Sequence, residues 1–532
     1  MLKRFSTVGL IVVALGATFV VSSGVAHAIA TWGQFENVSA PNGQILEDIA
    51  TVGAEVTAIS CSAPGFCTAT GTFTQVVNHD RVFAVTQTGG VWGEYEEILG
   101  YPDTDPNVNH WTTTYAISCS SPGNCTLGGY YTSSTGYQAF VATQTDGVWG
   151  TYTDIPGLNA VNTDWNGASV STISCTSPGN CSVGGRYSSG NKEHAFVASQ
   201  TDGVWGEYED IPAPNGHYLN EGILFGNTGI WSISCISSGN CTGTGTYYDE
   251  AGSQVFAVTQ TDGVWGEYED IPGLREVNIE GDASVTSLSC TSIGNCVLGG
   301  YYSLDYDEYE AFVATQTDGV WGSYENIPGL NEANVGTDAE VDQVSCTSDG
   351  ECTASGSYRG SSGSIAFVAT QTNGVWSHYE DIPGLQAIAS IGDTNADQLS
   401  CSSPGNCTVS GTYWVGATYQ PYVATQTNGV WGNYETIPGI SQANSYGAAF
   451  IKALSCGSAG NCSVVGYYIS TGYEVHTFLA SSTAPIDETS TAPPTTIPSL
   501  PATGQSTNTL AAALIVITLG LGFALIRRRV IR

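Results

Sequence analysis

Residues 286–338 read TSLSCTSIGNCVLGGYY, an acidic loop, EAFVATQTDGVWGSYENIPGL, and a second acidic loop. Variants of this unit recur from near the N-terminus to about residue 480. A fixed period of this kind governs every later reading of the chain. Sixteen cysteines fall into eight C-x5-C pairs: Cys61 with Cys67, Cys119 with Cys125, Cys175 with Cys181, Cys235 with Cys241, Cys290 with Cys296, Cys346 with Cys352, Cys401 with Cys407 and Cys456 with Cys462. Every copy keeps a glycine four residues after its first cysteine, from Gly65 to Gly460. Ser-Pro-Gly-Asn at 121–124 suits a turn with proline at i+1 and positive φ at i+2. The short β-prone runs on either side make this half of the unit a hairpin whose turn is stapled by a local disulfide. In the entropy model a seven-residue loop restrains the unfolded chain by roughly 2 kcal/mol.

The second half is another hairpin. AFVATQT and VWGSYENI flank Asp318-Gly319, and a type I′ turn needs positive φ at both central residues. Asp146-Gly147, Asp202-Gly203, Asp262-Gly263, Asn373-Gly374, Asn428-Gly429 and Gly89-Gly90 occupy the same place. Four strands per unit of about 56 residues is the spacing of a propeller blade. The strand that opens on tryptophan occurs eight times, the first at Trp32, but the hairpin turn before it only seven times. Residues 31–43 are a fourth strand without its first three, and 454–482 are three strands without a fourth. Joined, they complete a blade and close a ring without exposed sheet edges. The expected fold is therefore all-β: an eight-bladed β-propeller over 31–482, closed by the N-terminal strand.

Glycine doublets such as Gly128-Gly129, Gly184-Gly185 and Gly299-Gly300, followed by an aromatic and a fourth-strand tryptophan, resemble the kelch-type blade. The doublet is incomplete at Gly245, Gly356, Gly411 and Gly466. The cysteine-plus-GGY signature is similar to that of secreted repeat proteins of Gram-positive bacteria.

The ends of the chain carry export and retention signals. Lys3 and Arg4, an apolar run from Val8 to Val21, and small residues around Ala28 and Ala30 form a signal peptide over 1–28. Cleavage after Ala28 or after Ala30 spares Trp32 in either case. Export agrees with disulfides rather than with zinc, whose ligands come at C-x2–4-C spacing with a second pair or histidines. A Thr/Ser/Pro tract at 483–499 cannot bury a core and extends at about 3 Å per residue as a spacer. Leu500-Pro501-Ala502-Thr503-Gly504, the apolar run Leu510–Ile526 and the basic tail to Arg532 resemble a sortase sorting signal over 500–532. That resemblance implies cleavage between Thr503 and Gly504 and a bond from the Thr503 carbonyl to peptidoglycan. Sortase and peptidoglycan are thus the expected partners, and the membrane is met only through the sorting segment.

Six of the twelve basic residues lie in these signals, while all forty-eight acidic ones lie between them, so the part between carries −42. Nucleic acid is excluded, because phosphate binding needs clustered Lys and Arg. Loops 1–2 and 3–4 are short and uniform, whereas loops 2–3 and 4–1 vary and share the opposite face, where recognition usually sits. Trp111, Trp165, Trp231 and Trp414 fall in these variable loops or at their edges, with Tyr115, Tyr218 and Tyr309 among the tyrosines there. Such aromatics stack on sugar rings or contact polar peptides, and equally pack their own loops. Asp103, Asp105 and Asn107, with Asn109, alternate like an oxygen cage for calcium, although Pro106 departs from the EF-hand loop. No G-x-S-x-G or H-E-x-x-H occurs, and the histidines are scattered. The expected function is adhesin-like binding of glycan or protein by a monomer. The rivals are a wall-attached polysaccharide hydrolase or lyase and a structural coat protein.

Overall fold

The computed structural model describes residues 30–39, 54–76, 79–100, 111–164, 166–190, 192–211, 228–305, 308–336, 338–388 and 392–484. Eight antiparallel sheets follow one another along the chain, each with its first three strands in sequential order. In the fifth blade these are Ser284–Ser292, Asn295–Asp305 and Glu308–Thr317. The fourth strand begins at Val320–Trp321, breaks at the Gly-x-Tyr that follows, and resumes as Glu325–Asn326. The first blade instead keeps one unbroken strand, Val91–Ile98. The first strands touch those of both neighbouring blades all the way round, the first blade meeting the eighth, so they are the innermost.

The ring closes as the count of repeats requires. Thr31 pairs with Thr483 and Trp32 with Ser482, while Glu36 and Asn37 pair with Leu479 and Phe478. The N-terminal strand is thus the fourth strand of the eighth blade. A second closure lies on the innermost strands. Each first cysteine donates its backbone N–H to the hydroxyl of the serine just before the first cysteine of the preceding blade. Cys119 bonds to Ser60 at 3.0 Å, Cys290 to Ser234 at 3.1 Å and Cys346 to Ser289 at 2.9 Å. Cys175, Cys235, Cys401 and Cys456 repeat the bond. Cys61 completes the circle by bonding to Ser455, 394 residues away in sequence, at 2.9 Å.

All eight cysteine pairs stand at disulfide distance, with no free cysteine. Each bridge staples its own turn, and its sulfurs also meet the preceding blade. The first cysteine of each pair is half-buried, but the second (Cys67, Cys125, Cys181, Cys241, Cys296, Cys352, Cys407 and Cys462) is buried in the core between blades. In seven blades its sulfur lies against the hydroxyl of the residue that follows the second cysteine of the preceding blade. Cys67 Sγ is 3.5 Å from Ser463 Oγ, Cys125 Sγ 3.5 Å from Thr68 and Cys296 Sγ 3.4 Å from Thr242. Cys181, Cys241, Cys407 and Cys462 meet Thr126, Ser182, Thr353 and Thr408 in the same way. Cys352 is the exception, because Val297 stands at that place and shares its apolar cluster. The two cysteines of a pair stand opposite each other in the ladder, so both side chains share the face turned to the preceding blade, and Cys61 Sγ also lies 3.3 Å from the Ser455 carbonyl oxygen there.

The two turns of a blade also hold each other. The Gly147 N–H donates to the Gly123 carbonyl at 2.8 Å, and the same bond joins Gly319 to Gly294 at 2.9 Å. Asp146, Asp202, Asp262, Asp318, Asn373 and Asn428 adopt φ between 48° and 51°, as a type I′ turn demands.

The core lies between blades. One cluster joins Val297, Ala311 and Val313 of the fifth blade to Val341, Val344, Phe367 and Trp376 of the sixth. The third strand is covered on both faces, so it reads as a continuous apolar run (AFVA) instead of alternating. Its aromatic is fully buried in every blade, as at Phe312, Phe367 and Tyr422.

Within the 4–1 connections the sequence IPGL-x-x-x-N forms a single helical turn rather than an open loop: Leu158–Val161, Leu274–Val277, Leu330–Ala333 and Ile440–Ala443. The asparagine that ends each turn clamps the next connection. Asn334 donates to the Tyr309 carbonyl at 3.1 Å and accepts from the Arg359 N–H at 3.1 Å. Asn162 and Asn278 do the same in their own blades. These connections are held by their own polar groups.

Candidate functional site

The innermost strands carry constant residues at one end and variable ones at the other. The residue before each first cysteine is always serine, and the one before that is Ile, Leu or Val. Four positions before the cysteine the copies read Thr57, Tyr115, Ser171, Trp231, Thr286, Asp342, Asp397 and Lys452. In seven blades the ladder bulges at this residue, as between Val56 and Ala58 or Val341 and Gln343. A bulge leaves its extra residue unpaired and re-aims its side chain. Here it turns toward the next innermost strand: Thr57 Oγ1 meets Thr114 Oγ1 at 2.9 Å, and Thr286 Oγ1 donates to the Val341 carbonyl.

The glycine that ends each doublet is what admits this bulge. A Cβ on Gly300 would stand 2.0 Å from the Ser284 carbonyl oxygen, and one on Gly129 1.8 Å from that of Thr113. All eight copies keep this second glycine, while the first varies. The incomplete doublets therefore lose nothing that the fold requires.

The side chains gathered at this end differ around the ring. At the second to fourth blades Tyr115 lies 5.8 Å from Tyr130, and Arg186 lies 5.8 Å over the Trp231 ring. Trp231 donates its indole N–H to Thr246 at 2.7 Å. The sixth and seventh blades contribute Glu340, Asp342 and Asp397. Burial, then the nearby Glu340 and Asp397, push the Asp342 carboxyl up. Burial and Glu340 push Asp397 up to about 7, against the pull of Lys452. Asp342 Oδ2 is shut off from solvent with no hydrogen-bond partner.

Beside these acids, between the fifth and sixth blades, lies a pocket of about 450 Å³ lined by Tyr301, Tyr309, Asp338, Ala339, Glu340, Ser357 and Ser364. The two tyrosine rings meet edge to face at 5.3 Å, and Tyr309 donates to Asp282 at 2.9 Å. Burial and Asp338 raise the Glu340 carboxyl. The Asn334 clamp and the bond from the Ala339 N–H to the Tyr309 carbonyl (3.0 Å) hold the floor of the pocket. Its size lies within the usual range for small-ligand sites. On the disulfide face, clefts between blades of about 350 and 780 Å³ are lined largely by repeated Ser, Thr, Gln, Gly and Cys residues. They follow from the repeat itself.

Of the residues singled out in the sequence, Trp231 and Tyr115 stand on innermost strands rather than in loops. Trp111 is 44% exposed at the rim, and Trp414 packs edge to face on Tyr419 at 4.6 Å. Trp165, Tyr218, Asp103, Asp105, Asn107 and the sorting signal Leu500–Gly504 lie outside the described residues. Among the described residues no cluster of three or more His, Cys, Asp or Glu is arranged to hold a metal. Sequence reasoning missed the pocket. Its signal was the change of residue at the far end of the innermost strand, where Glu340 stands six positions before Cys346.

Residues 492–531 match the family described as the LPXTG cell wall anchor motif. The chain is therefore a secreted surface protein with a propeller fold, covalently anchored to the cell wall of a Gram-positive bacterium. No curated protein matches it. Among solved structures it is similar to a protein of unknown function from Dyadobacter fermentans, at 9% identity over 86% of this chain and 99% of that one, TM-score 0.39. It is also similar to a polysaccharide lyase, an ulvan lyase, at 10% identity over 87% and 97%, TM-score 0.39. A third is a puromycin hydrolase, at 11% identity over 80% and 60%, TM-score 0.40.

Proposed function

We propose that this protein is a glycan-binding surface receptor, and that the pocket between the fifth and sixth blades is its binding site. The observation that carries the reading is the lining: two tyrosine rings, two carboxylates and two serine hydroxyls around one concave space. Tyrosine supplies a flat apolar face for a sugar ring, and carboxylates and hydroxyls take its hydroxyl protons. The clamped rim supports it, since a preformed site spends less binding energy on ordering. A Pro/Thr spacer would carry the propeller outward from its anchor.

The raised carboxyls of Glu340, Asp342 and Asp397 favour one second reading, a glycoside hydrolase, which needs one protonated and one ionised carboxyl. Incubation of the mature protein with an array of glycans tests both. Retention without products, lost in Tyr301→Ala and Tyr309→Ala, is the expected result. Release of shortened saccharides would turn the assignment to the hydrolase, and no retention on any glycan would remove both.

A further inference from the structure

Resting on that glycan reading, we infer that the saccharide unit in the pocket is an amino sugar, its protonated amine turned to the carboxylates of Asp338 and Glu340 and its ring against Tyr301 and Tyr309. Three independent observations support the amine.

First, none of the residues lining the pocket is a cation, and the chain has few to lend. Only six basic residues lie between the export and sorting signals. Five of them already face other carboxylates: Arg81 with Glu97, Arg186 with Glu193, Arg275 with Asp249, Arg359 with Asp393 and Lys452 with Glu55. Second, Asp342, two residues along the strand from Glu340, keeps a carboxylate oxygen out of water with no hydrogen-bond partner. An ionised group in that state is costly unless a positive charge stands near it. Third, the same ring of positions already seats one ammonium. Lys452 occupies the position that Thr286 holds beside the pocket, with its Nζ 3.7 Å from Glu55 and 5.4 Å from the centre of the Tyr467 ring, the equivalents of Glu340 and Tyr301. A carboxylate beside a tyrosine face holds the amine there. The pocket offers the same two groups with the amine missing.

A free glucosamine trimer and its fully N-acetylated counterpart share a skeleton and differ in charge, so the pair isolates the amine. Titration of the mature protein at pH 7.5 in 0.3 M salt, chosen (at about a 5 Å screening length) to damp the general pull of its acidity, should give tighter binding of the free amine by about tenfold or more. Glu340→Gln and Asp338→Asn should each erase that preference. Glu207→Gln, at an exposed position in another blade, should leave it unchanged. Thermal melts of each variant separate lost binding from lost fold. Equal or tighter binding of the N-acetylated trimer would overturn the amine while leaving the glycan site in place. Trilysine binding as tightly as the free trimer would overturn the sugar. Failure of both trimers to bind would overturn the amino-sugar assignment, and the array would then decide the glycan reading separately.

Discussion

The two ends of the eight innermost strands obey different rules. At the disulfide end every strand reads apolar-Ser-Cys, and each hydroxyl accepts the N–H of the next blade at 2.9–3.1 Å. At the other end seven of these strands bulge, and the eight copies carry Thr, Tyr, Ser, Trp, Thr, Asp, Asp and Lys. One end builds a closed belt in which every member must match its neighbours. The other hangs a side chain on each bulge, unconstrained by the ladder. Rigidity and variation are separated along single short strands, and the candidate site stands where the variation is.

Five substitutions sharpen or break this contrast. The largest effect should come from Trp32→Ala, which empties a nearly buried position in the blade that closes the ring. It should cost about 3–5 kcal/mol, read from denaturant unfolding. A smaller loss would mean that the ring does not depend on its N-terminal strand. Ser234→Ala leaves the Cys290 N–H without its acceptor and should cost about 1–3 kcal/mol. A neutral result would show that the serine belt is incidental.

At the variable end the sign reverses. Asp342→Asn removes a buried carboxylate and should stabilise the protein at pH 8 by on the order of 1 kcal/mol. The parent protein should melt at a higher temperature near pH 5.5 than at pH 8. Asp397 has a folded value of about 7, and Asp342 and Glu340 are also raised, chiefly by burial. A raised folded pKa means stability that is full below the ordinary carboxylate value and lost as pH rises through the folded one. The double variant Asp342→Asn/Asp397→Asn should flatten that slope. An unchanged slope would place its origin elsewhere among the acids. Smallest of all, Tyr115→Ala, 48% exposed at its bulge, should shift stability within about 0.5 kcal/mol.

The class of protein was legible because the information is local and repeated. Asp-Gly and C-x5-C mark turns by backbone chemistry alone, and eight tryptophan strands against seven turns force closure on arithmetic. Which half of each bridge is buried was not legible, since both cysteines face the same neighbouring blade and only its packing covers Cys67 or Cys296 more than Cys61 or Cys290. Where the variable loops lie followed from their lengths. The pocket did not follow, since Tyr301, Tyr309, Glu340 and Ser364 come from two blades and touch only when these pack. Trp231 and Tyr115 looked like loop residues because a bulge interrupts the strand's alternation at that point, and composition carries no sign of it. The Asn334 clamp was equally silent, being a contact between one 4–1 connection and two hairpins.

The sequence by itself determined the repeat, the ring, the disulfides and the wall anchor, since each depends on residues close together in the chain or on counting copies. Only the tertiary structure decided which acids stand unpaired beside tyrosine rings, and that a serine belt welds blade to blade. Those are contacts between neighbouring blades some 55 residues apart, and distance along the chain carries no record of which side chains the packing of two sheets brings face to face.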